Sequence, residues 1–270
     1  MPPVTPAGAG YVSIVQLTDS HLFADHSSRL LGLDTFASLN AVIDQMIDEV
    51  ERMDLVLATG DITQDGSRGG YERFIDAVAR LPAECRWLPG NHDDAQLMSV
   101  LGDERGLNAE WIDLSSWRVV MLDSSVPEVV SGHLDDAQLD RLDRALDSAG
   151  TRHVLVCLHH HPVNIQSDWM NPLGLQNADR LLQRIDESGN VRALLWGHIH
   201  QHLDAVRGNV RLLATPSTCI QFDAHSADFA TDTQAPGYRW LRLYDDGSIE
   251  TDVSRLPAGQ FVPDAGASGY

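Results

Sequence analysis

The carboxylates and imidazoles best placed to do chemistry fall in five short segments. These are Asp19-Ser20-His21, Gly60-Asp61, Gly90-Asn91-His92-Asp93, His159-His160-His161-Pro162 and Gly197-His198-Ile199-His200. Imidazole and carboxylate together suit iron, zinc and manganese, with manganese leaning towards oxygen donors. No cysteine belongs to the set, so a closed structural zinc site is not indicated. Two ions about 3.5–4 Å apart need a shared ligand, and a carboxylate with two oxygens can bridge them. Asn91 offers a neutral amide oxygen, which adds a bond without adding charge. Taken singly, each residue has an ordinary explanation. Asp19 and Asp61 suit turns, Asn91 suits a left-handed turn, and His198 or His200 suits a surface. Independent turns do not generate five such segments in succession, each directly after a predicted strand.

The strands are read from short apolar or alternating runs. Residues 11–18, 54–59, 85–88, 117–122, 154–158 and 191–196 fit, and each leads towards a loop. Between them lie helical spacings. Phe36, Leu39, Val42, Ile43, Met46, Ile47 and Val50 mark one helix, and Tyr71, Phe74, Ile75 and Val78 a second. Leu139, Leu142 and Leu146 mark a third, with Asp135 near its start and Gly150 beyond its end. Leu181, Leu182 and Ile185 mark a fourth, which Asn177 is expected to cap. The pattern then changes to hairpins, around Arg207-Gly208-Asn209 and around Asp245-Asp246-Gly247. Alternating β and α followed by antiparallel β predicts an α/β (mixed α+β) domain with a mixed sheet core and flanking helices. There is no internal repeat or linker, so residues 1–270 read as a single domain. Residues 1–10 form a lead-in, and residues 257–270 a weakly patterned tail.

Composition limits the partners. The 270 residues carry a formal charge of −20, from 39 acidic and 19 basic side chains, so a generally basic nucleic-acid footprint is absent. An anionic membrane surface is disfavoured for the same reason. No apolar run approaches the ~20 residues that span a bilayer, and the start lacks the pattern of a signal peptide. Cys85, Cys157 and Cys219 are far apart and odd in number, which suits reduced, buried thiols in a cytoplasm. If the substrate is a phosphate ester, so acidic a chain needs a strong local positive charge, and bound metal ions would supply it.

The ordered set D-x-H, G-D, G-N-H-D, H and G-H-x-H resembles the calcineurin-like metallophosphoesterase family, with no ligand type replaced. The stretches 18–23, 58–61, 87–93, 158–162, 197–201, 212–219 and 235–237 are similar to the bacterial class III cyclic-AMP phosphodiesterases. This resemblance implies a β-sandwich of two mixed sheets with helices outside. It implies two metal ions, iron with manganese or alternatively zinc. It places Asp19, His21 and His200 on the first ion, Asn91, His159 and His198 on the second, and Asp61 between them. Within the histidine triplet the strand register decides which ring ligates; the resemblance favours His159, leaving His160 and His161 in supporting roles. His92 would face the phosphate, and the substrate would be held among His21, Asp61, Asn91, His92, His159 and His200.

The implied reaction is hydrolysis of cyclic AMP, with Asp61 and His92 as the catalytic residues. Metal binding lowers the pKa of water enough to supply a nucleophile near neutral pH. His92 would stabilise the phosphate or protonate the leaving 3′-oxygen. Asp93 either orients His92 or is a turn carboxylate. The ligands alone do not separate cyclic AMP from a 2′,3′-cyclic nucleotide, a glycerophosphodiester or a dinucleotide. A metal-free interaction protein on the same fold is the alternative of a different class, and it would be expected to have lost ligands. A small cyclic nucleotide is the expected partner, with a homodimer left open. Residues 221–236, with Phe222, His225 and Phe229 among polar neighbours, read either as a plain surface loop or as a lid that holds the nucleoside.

Overall fold

The computed structural model describes residues 10–264. Residues 1–9 of the expected lead-in (1–10) and residues 265–270 of the tail (257–270) lie outside them.

Two mixed sheets face each other. The first contains β1 (Tyr11–Leu17), β2 (Leu55–Thr59), β3 (Cys85–Leu88), β12 (Gly237–Tyr244) and β13 (Ile249–Arg255), in the order β13-β12-β1-β2-β3. The second contains β4 (Trp111–Leu114), β5 (Trp117–Met121), β6 (His153–Cys157), β7 (Val191–Trp196), β8 (Leu203–Arg207) and β9 (Val210–Ala214), in the order β4-β5-β6-β7-β9-β8. A further small pair, β10 (Gln221–Phe222) with β11 (Thr231–Asp232), stands apart. The parallel pairs are β1-β2-β3 in the first sheet and β5-β6-β7-β9 in the second. Ile14, Leu57, Trp117, Leu155, Leu195 and Leu241 fill the space between the sheets.

Helices cover both outer faces. α1 (Thr35–Glu49), α2 (Arg68–Val78) and α3 (Ala95–Arg105) contribute Leu39, Phe74 and Met98 to the core on the first sheet. α4 (Asp136–Asp147) and α5 (Ala178–Glu187) contribute Leu142 and Leu181 to the core on the second. The result is the expected β-sandwich of two mixed sheets flanked by helices. In α1 the buried positions Leu39, Val42, Ile43 and Met46 form the stripe that the spacing predicts. The Asp34 carboxylate starts that helix by accepting from the Ala37 N–H at 2.9 Å.

Two elements are not signalled by periodicity. In α3, Leu97, Met98, Val100 and Leu101 crowd together without a clean stripe, and Val100 is 52% exposed. The ends define this helix: Asp94 caps Gln96 and Leu97, and Gly106 closes it with φ 69°. Strand β4 is short and only partly buried. The cap expected at Asn177 is a correction. Its side chain makes no cap to α5. Asn177 instead accepts from the Leu134 N–H at 3.0 Å and donates to the Leu134 carbonyl at 2.7 Å. Asp135 does cap α4, accepting from Gln138 N–H at 2.9 Å.

Asn177→Ala should therefore orphan two buried backbone groups, at roughly 1–3 kcal/mol for each. Asp135→Ala should cost about 1 kcal/mol, the usual loss at a helix cap. Urea unfolding of both variants checks the order; an equal or smaller loss for Asn177→Ala contradicts the bridging role.

Candidate metal centre

All five chemical segments leave the C-terminal ends of parallel strands at one end of the sandwich. Asp19 and His21 follow β1, Asp61 follows β2, and Asn91 and His92 follow β3; His159 follows β6, while His198 and His200 follow β7. The loops after β1 and β2 run side by side. Asp19 N–H donates to the Gly60 carbonyl at 3.0 Å, His21 N–H to Asp61 at 2.9 Å, and Leu22 N–H to Ile62 at 3.0 Å.

Close approach requires small residues at these turns. A Cβ on Gly90 would come within 2.8 Å of Asp61 Cγ, and one on Gly197 within 2.6 Å of Asp19 Oδ2. The ligand residues themselves adopt left-handed backbone. Asp19 (φ 55°), His21 (45°), Asp61 (48°), His198 (65°) and His200 (49°) are five of the nine non-glycine residues with positive φ in the described chain.

The side chains of these segments gather into close groups. Asp19, His21 and His200 form one group whose donor atoms lie within 4.8 Å of one another; Asp19, Asp61 and His159 form another, and His21, Asp61 and His92 a third. Asp19, His21 and Asp61 each belong to two of these groups, so the groups adjoin one another. Its Oδ1 accepts from the His92 N–H at 2.9 Å, and its Oδ2 lies 3.2 Å from His159 Nε2 and 3.7 Å from His21 Nε2. Asp19 Oδ1 lies 3.3 Å from His200 Nε2, and the His198 N–H reaches both Asp19 oxygens.

The outer nitrogens of the rings set which atom faces inwards. His159 Nδ1 donates to the Thr59 carbonyl at 2.8 Å, His200 Nδ1 to Ile220 at 2.9 Å, and His21 Nδ1 to Gln64 Oε1 at 2.6 Å. Their Nε2 atoms therefore turn to the centre, and those of His21 and His200 stand 3.1 Å apart. His198 Nε2 donates to the Leu173 carbonyl at 3.1 Å, which turns Nδ1 into an acceptor. The Asn91 Oδ1 atom is buried with no hydrogen-bond partner. Facing ring nitrogens, clustered carboxylates and an orphaned amide oxygen form a donor set that fits cations.

His160 also lies near His159 and His198, yet both its ring nitrogens are engaged, by Ser124 Oγ at 2.8 Å and the Val130 carbonyl at 3.0 Å. His161 is buried, stacks on His198 at 5.6 Å, and leaves both ring nitrogens unbonded. Asp93 holds the loops together. Its carboxylate accepts from Ile62 N–H at 3.1 Å, Thr63 N–H at 3.1 Å, Gly90 N–H at 2.9 Å and Tyr71 O–H at 3.1 Å, tying the Asp61 loop to the Asn91 loop. Gln64 and the carbonyls of Thr59, Leu173 and Ile220 carry no sequence signal; they act through backbone position or as an isolated amide.

Burial sets the electrostatics first. It holds the His21 imidazole down at about 3 and that of His198 well below its usual value, the neutral state that a metal ligand needs. Burial pushes the Asp61 carboxyl up, but the surrounding imidazoles, His159 foremost, hold it well below the carboxylate range. His159 goes the other way: burial opposes its charge, yet Asp61 raises it to about 9. Asp93 is pushed up to about 7, by burial and then by the Asp61 charge.

Residues 12–202 match the calcineurin-like phosphoesterase family. The chain belongs to that family. Among its relatives, a 3′,5′-cyclic adenosine monophosphate phosphodiesterase CpdA of Pseudomonas aeruginosa is 52% identical over 98% of each chain. The Escherichia coli (strain K12) CpdA, of the same name, is 42% identical over 98% of this chain and 97% of its own. A dimetal phosphatase from Danio rerio shares the fold at 18% identity, with a TM-score of 0.58 over 90% of this chain and 98% of that one. As a calcineurin-like phosphoesterase, the chain holds His and Asp groups able to bind metal ions. Among the described residues, no helix is long and apolar enough to cross a membrane.

Two outcomes are expected. Asp61→Ala should lower bound metal at both positions and abolish phosphodiester turnover, because it removes the charge shared between two cations; two tightly bound ions by elemental analysis would contradict the bridging role. The metal-free protein should also show a pH signature. The folded pKa of His159, about 9, lies above its ordinary 6.5. The stability it contributes is thus complete below about pH 6.5 and lost as the pH rises through about 9. Urea unfolding of chelator-treated protein across that window should show the fall, and His159→Gln should flatten it.

Proposed function

We infer that the chain is a two-metal phosphodiesterase that hydrolyses 3′,5′-cyclic AMP to 5′-AMP and so lowers cyclic AMP in a bacterial cytoplasm. The observation that carries the chemistry is the convergence of Asp19, His21, Asp61, His159 and His200 donor atoms around buried space. The substrate rests on the cyclic-AMP phosphodiesterases that are 42% and 52% identical to the chain over almost their whole length. The whole of residues 1–270 acts as one catalytic domain in this reading.

Asp19, His21 and His200 would hold one ion, Asn91, His159 and His198 the other, and Asp61 would be shared. Iron and manganese suit this nitrogen and oxygen set, and zinc is compatible with it. When bound, such ions supply a water-derived nucleophile near neutral pH and draw charge from the phosphate. The residues of the chain do the rest. Asp61 accepts from the His92 N–H, so the loop carrying the shared carboxylate is tied to the loop carrying the acid. The His92 ring is half-buried and meets His21 edge-on at 5.0 Å, which aims it at the same space. Asn91 adds a donor without charge, so a singly charged cyclic diester is not repelled. Hydrolysis adds water across the bond from phosphorus to the 3′-oxygen, and His92 delivers the proton that the departing 3′-oxygen takes up. Gln64 and the Thr59 carbonyl keep the His21 and His159 rings from turning as substrate enters.

Purified protein given manganese or iron should convert cyclic AMP to 5′-AMP and stop when chelator is added. Failure on cyclic AMP with turnover of another diester would move the substrate assignment and leave the metal chemistry in place. His92→Ala should keep its metal and lose roughly 10²–10⁴-fold in turnover of cyclic AMP. A nitrophenyl diester, whose leaving group needs no proton, should lose far less; equal losses would make His92 a phosphate-positioning group and not an acid.

A further inference from the structure

Beneath the metal centre, a polar chain crosses the apolar space between the two sheets. It begins at Arg239 on β12, which is completely buried. No carboxylate pairs with it among the described residues. Its Nε donates to Thr215 Oγ1 at 3.2 Å, one terminal nitrogen donates to Thr251 Oγ1 at 3.2 Å, and the other to the carbonyls of Leu203 at 3.2 Å and Ala214 at 2.8 Å. The Thr215 hydroxyl then donates to Gln16 Oε1. The Gln16 amide donates to Thr59 Oγ1 at 2.7 Å and to the Trp196 carbonyl at 3.2 Å.

The ends of this chain are significant. Thr59 belongs to the strand that leads to Asp61, and its carbonyl orients His159. Trp196 ends the strand that leads to His198 and His200. Gln16 lies on β1, two residues before the loop that begins at Thr18 and carries Asp19. Thr215 follows β9, in the second sheet. The polar chain thus links the strand ends of both sheets directly below the ligands they present. Asp19, His21 and Asp61 come from one sheet, and His159, His198 and His200 from the other. Apolar side chains can slide against one another, whereas a guanidinium held by four acceptors and an amide held at both ends define a separation.

We propose that Arg239, Thr215 and Gln16 form an inter-sheet clamp that sets the distance between the two halves of the metal centre, and are positioning residues for the metal pair. This rests on the two-metal reading. A buried guanidinium without a carboxylate is a costly way to fill an interior. Here its four acceptors are two threonine hydroxyls and two strand carbonyls, which fix its position between the sheets.

The test loads metal-free protein with Mn²⁺ alone and reads two things: the affinity of the second ion by calorimetry, and spin coupling between the ions by electron paramagnetic resonance. Thr215→Val keeps the shape of the side chain and removes only the hydroxyl that joins Arg239 to Gln16. It should fold, bind the second ion 10–100-fold more weakly, the loss usual when support of a ligand is removed, and show a larger share of uncoupled manganese. Thr215→Ser should behave as wild type. Arg239→Met should show the same defect, with Arg239→Lys recovering part of it. Wild-type affinity and coupling in folded Thr215→Val and Arg239→Met would overturn the clamp. If Thr215→Val does not fold, Thr251→Val, which removes one acceptor of the four, carries the same comparison, and wild-type coupling in it is equally decisive against the clamp. If wild type itself does not bind two coupled ions, the two-metal reading fails, a result distinct from unchanged variants in a protein that does bind them.

Discussion

Two ring nitrogens facing each other at 3.1 Å, on His21 and His200, define what the rest of this molecule must hold in place. Beside them stand two carboxylates that are at most 1% exposed. In a dry interior those two carboxylates repel each other and lose solvation. Positive charge among them turns the same arrangement into an attraction. Each ring is prevented from escaping by a fixed acceptor on its far side: Gln64 for His21, the Ile220 carbonyl for His200 and the Thr59 carbonyl for His159. The metal centre is therefore as much a property of loop carbonyls as of the histidines.

Holding it also strains the backbone. Left-handed geometry costs roughly 1–2 kcal/mol for an ordinary residue, so the five ligand residues concerned carry about 5–10 kcal/mol between them. That is comparable to the net stability of a whole domain. The loops could not keep this shape separately. They are offset by the hydrogen bonds between them, by the Asp93 carboxylate that ties the Asp61 and Asn91 loops together, and by Ser217, whose hydroxyl donates to the Asp19 carbonyl at 2.7 Å.

The groups able to hold metal were legible because metal chemistry restricts residue type, and because each follows a strand whose apolar run is plain. The helices α1 and α4 were legible for the same reason: one clean stripe and a capping aspartate. The parts that escaped have weak local signals. Helix α3 is specified by its ends, and β4 by its pairing with β5. Asn177 has the residue type of a cap but the geometry of a bridge, and sequence cannot distinguish these because the partner, Leu134, is distant along the chain. Asp93 could be read from the sequence either as a partner of His92 or as a turn carboxylate, and the N–H groups of Ile62 and Thr63 that it binds are distant along the chain. Residues 221–236, read as a plain loop or a lid, carry β10 and β11, and Phe222 stacks on His200 at 4.2 Å. An isolated aromatic in a polar stretch gives no hint of the imidazole it will cover.

The order of strands has a consequence for biosynthesis. β1 lies between β2 and β12, so the strand that presents Asp19 and His21 keeps an open edge until residues 237–244 have left the ribosome. Every ligand has been synthesised by His200, yet the nascent chain at that stage lacks Ser217, Ile220 and Arg239, which fasten the ligand loops and strand ends. An exposed central strand is prone to pair with other chains. Assembly of the groups able to hold metal thus belongs to the completed polypeptide, and the interval between translation of His200 and docking of β12 is when the emerging chain is most open to misassembly.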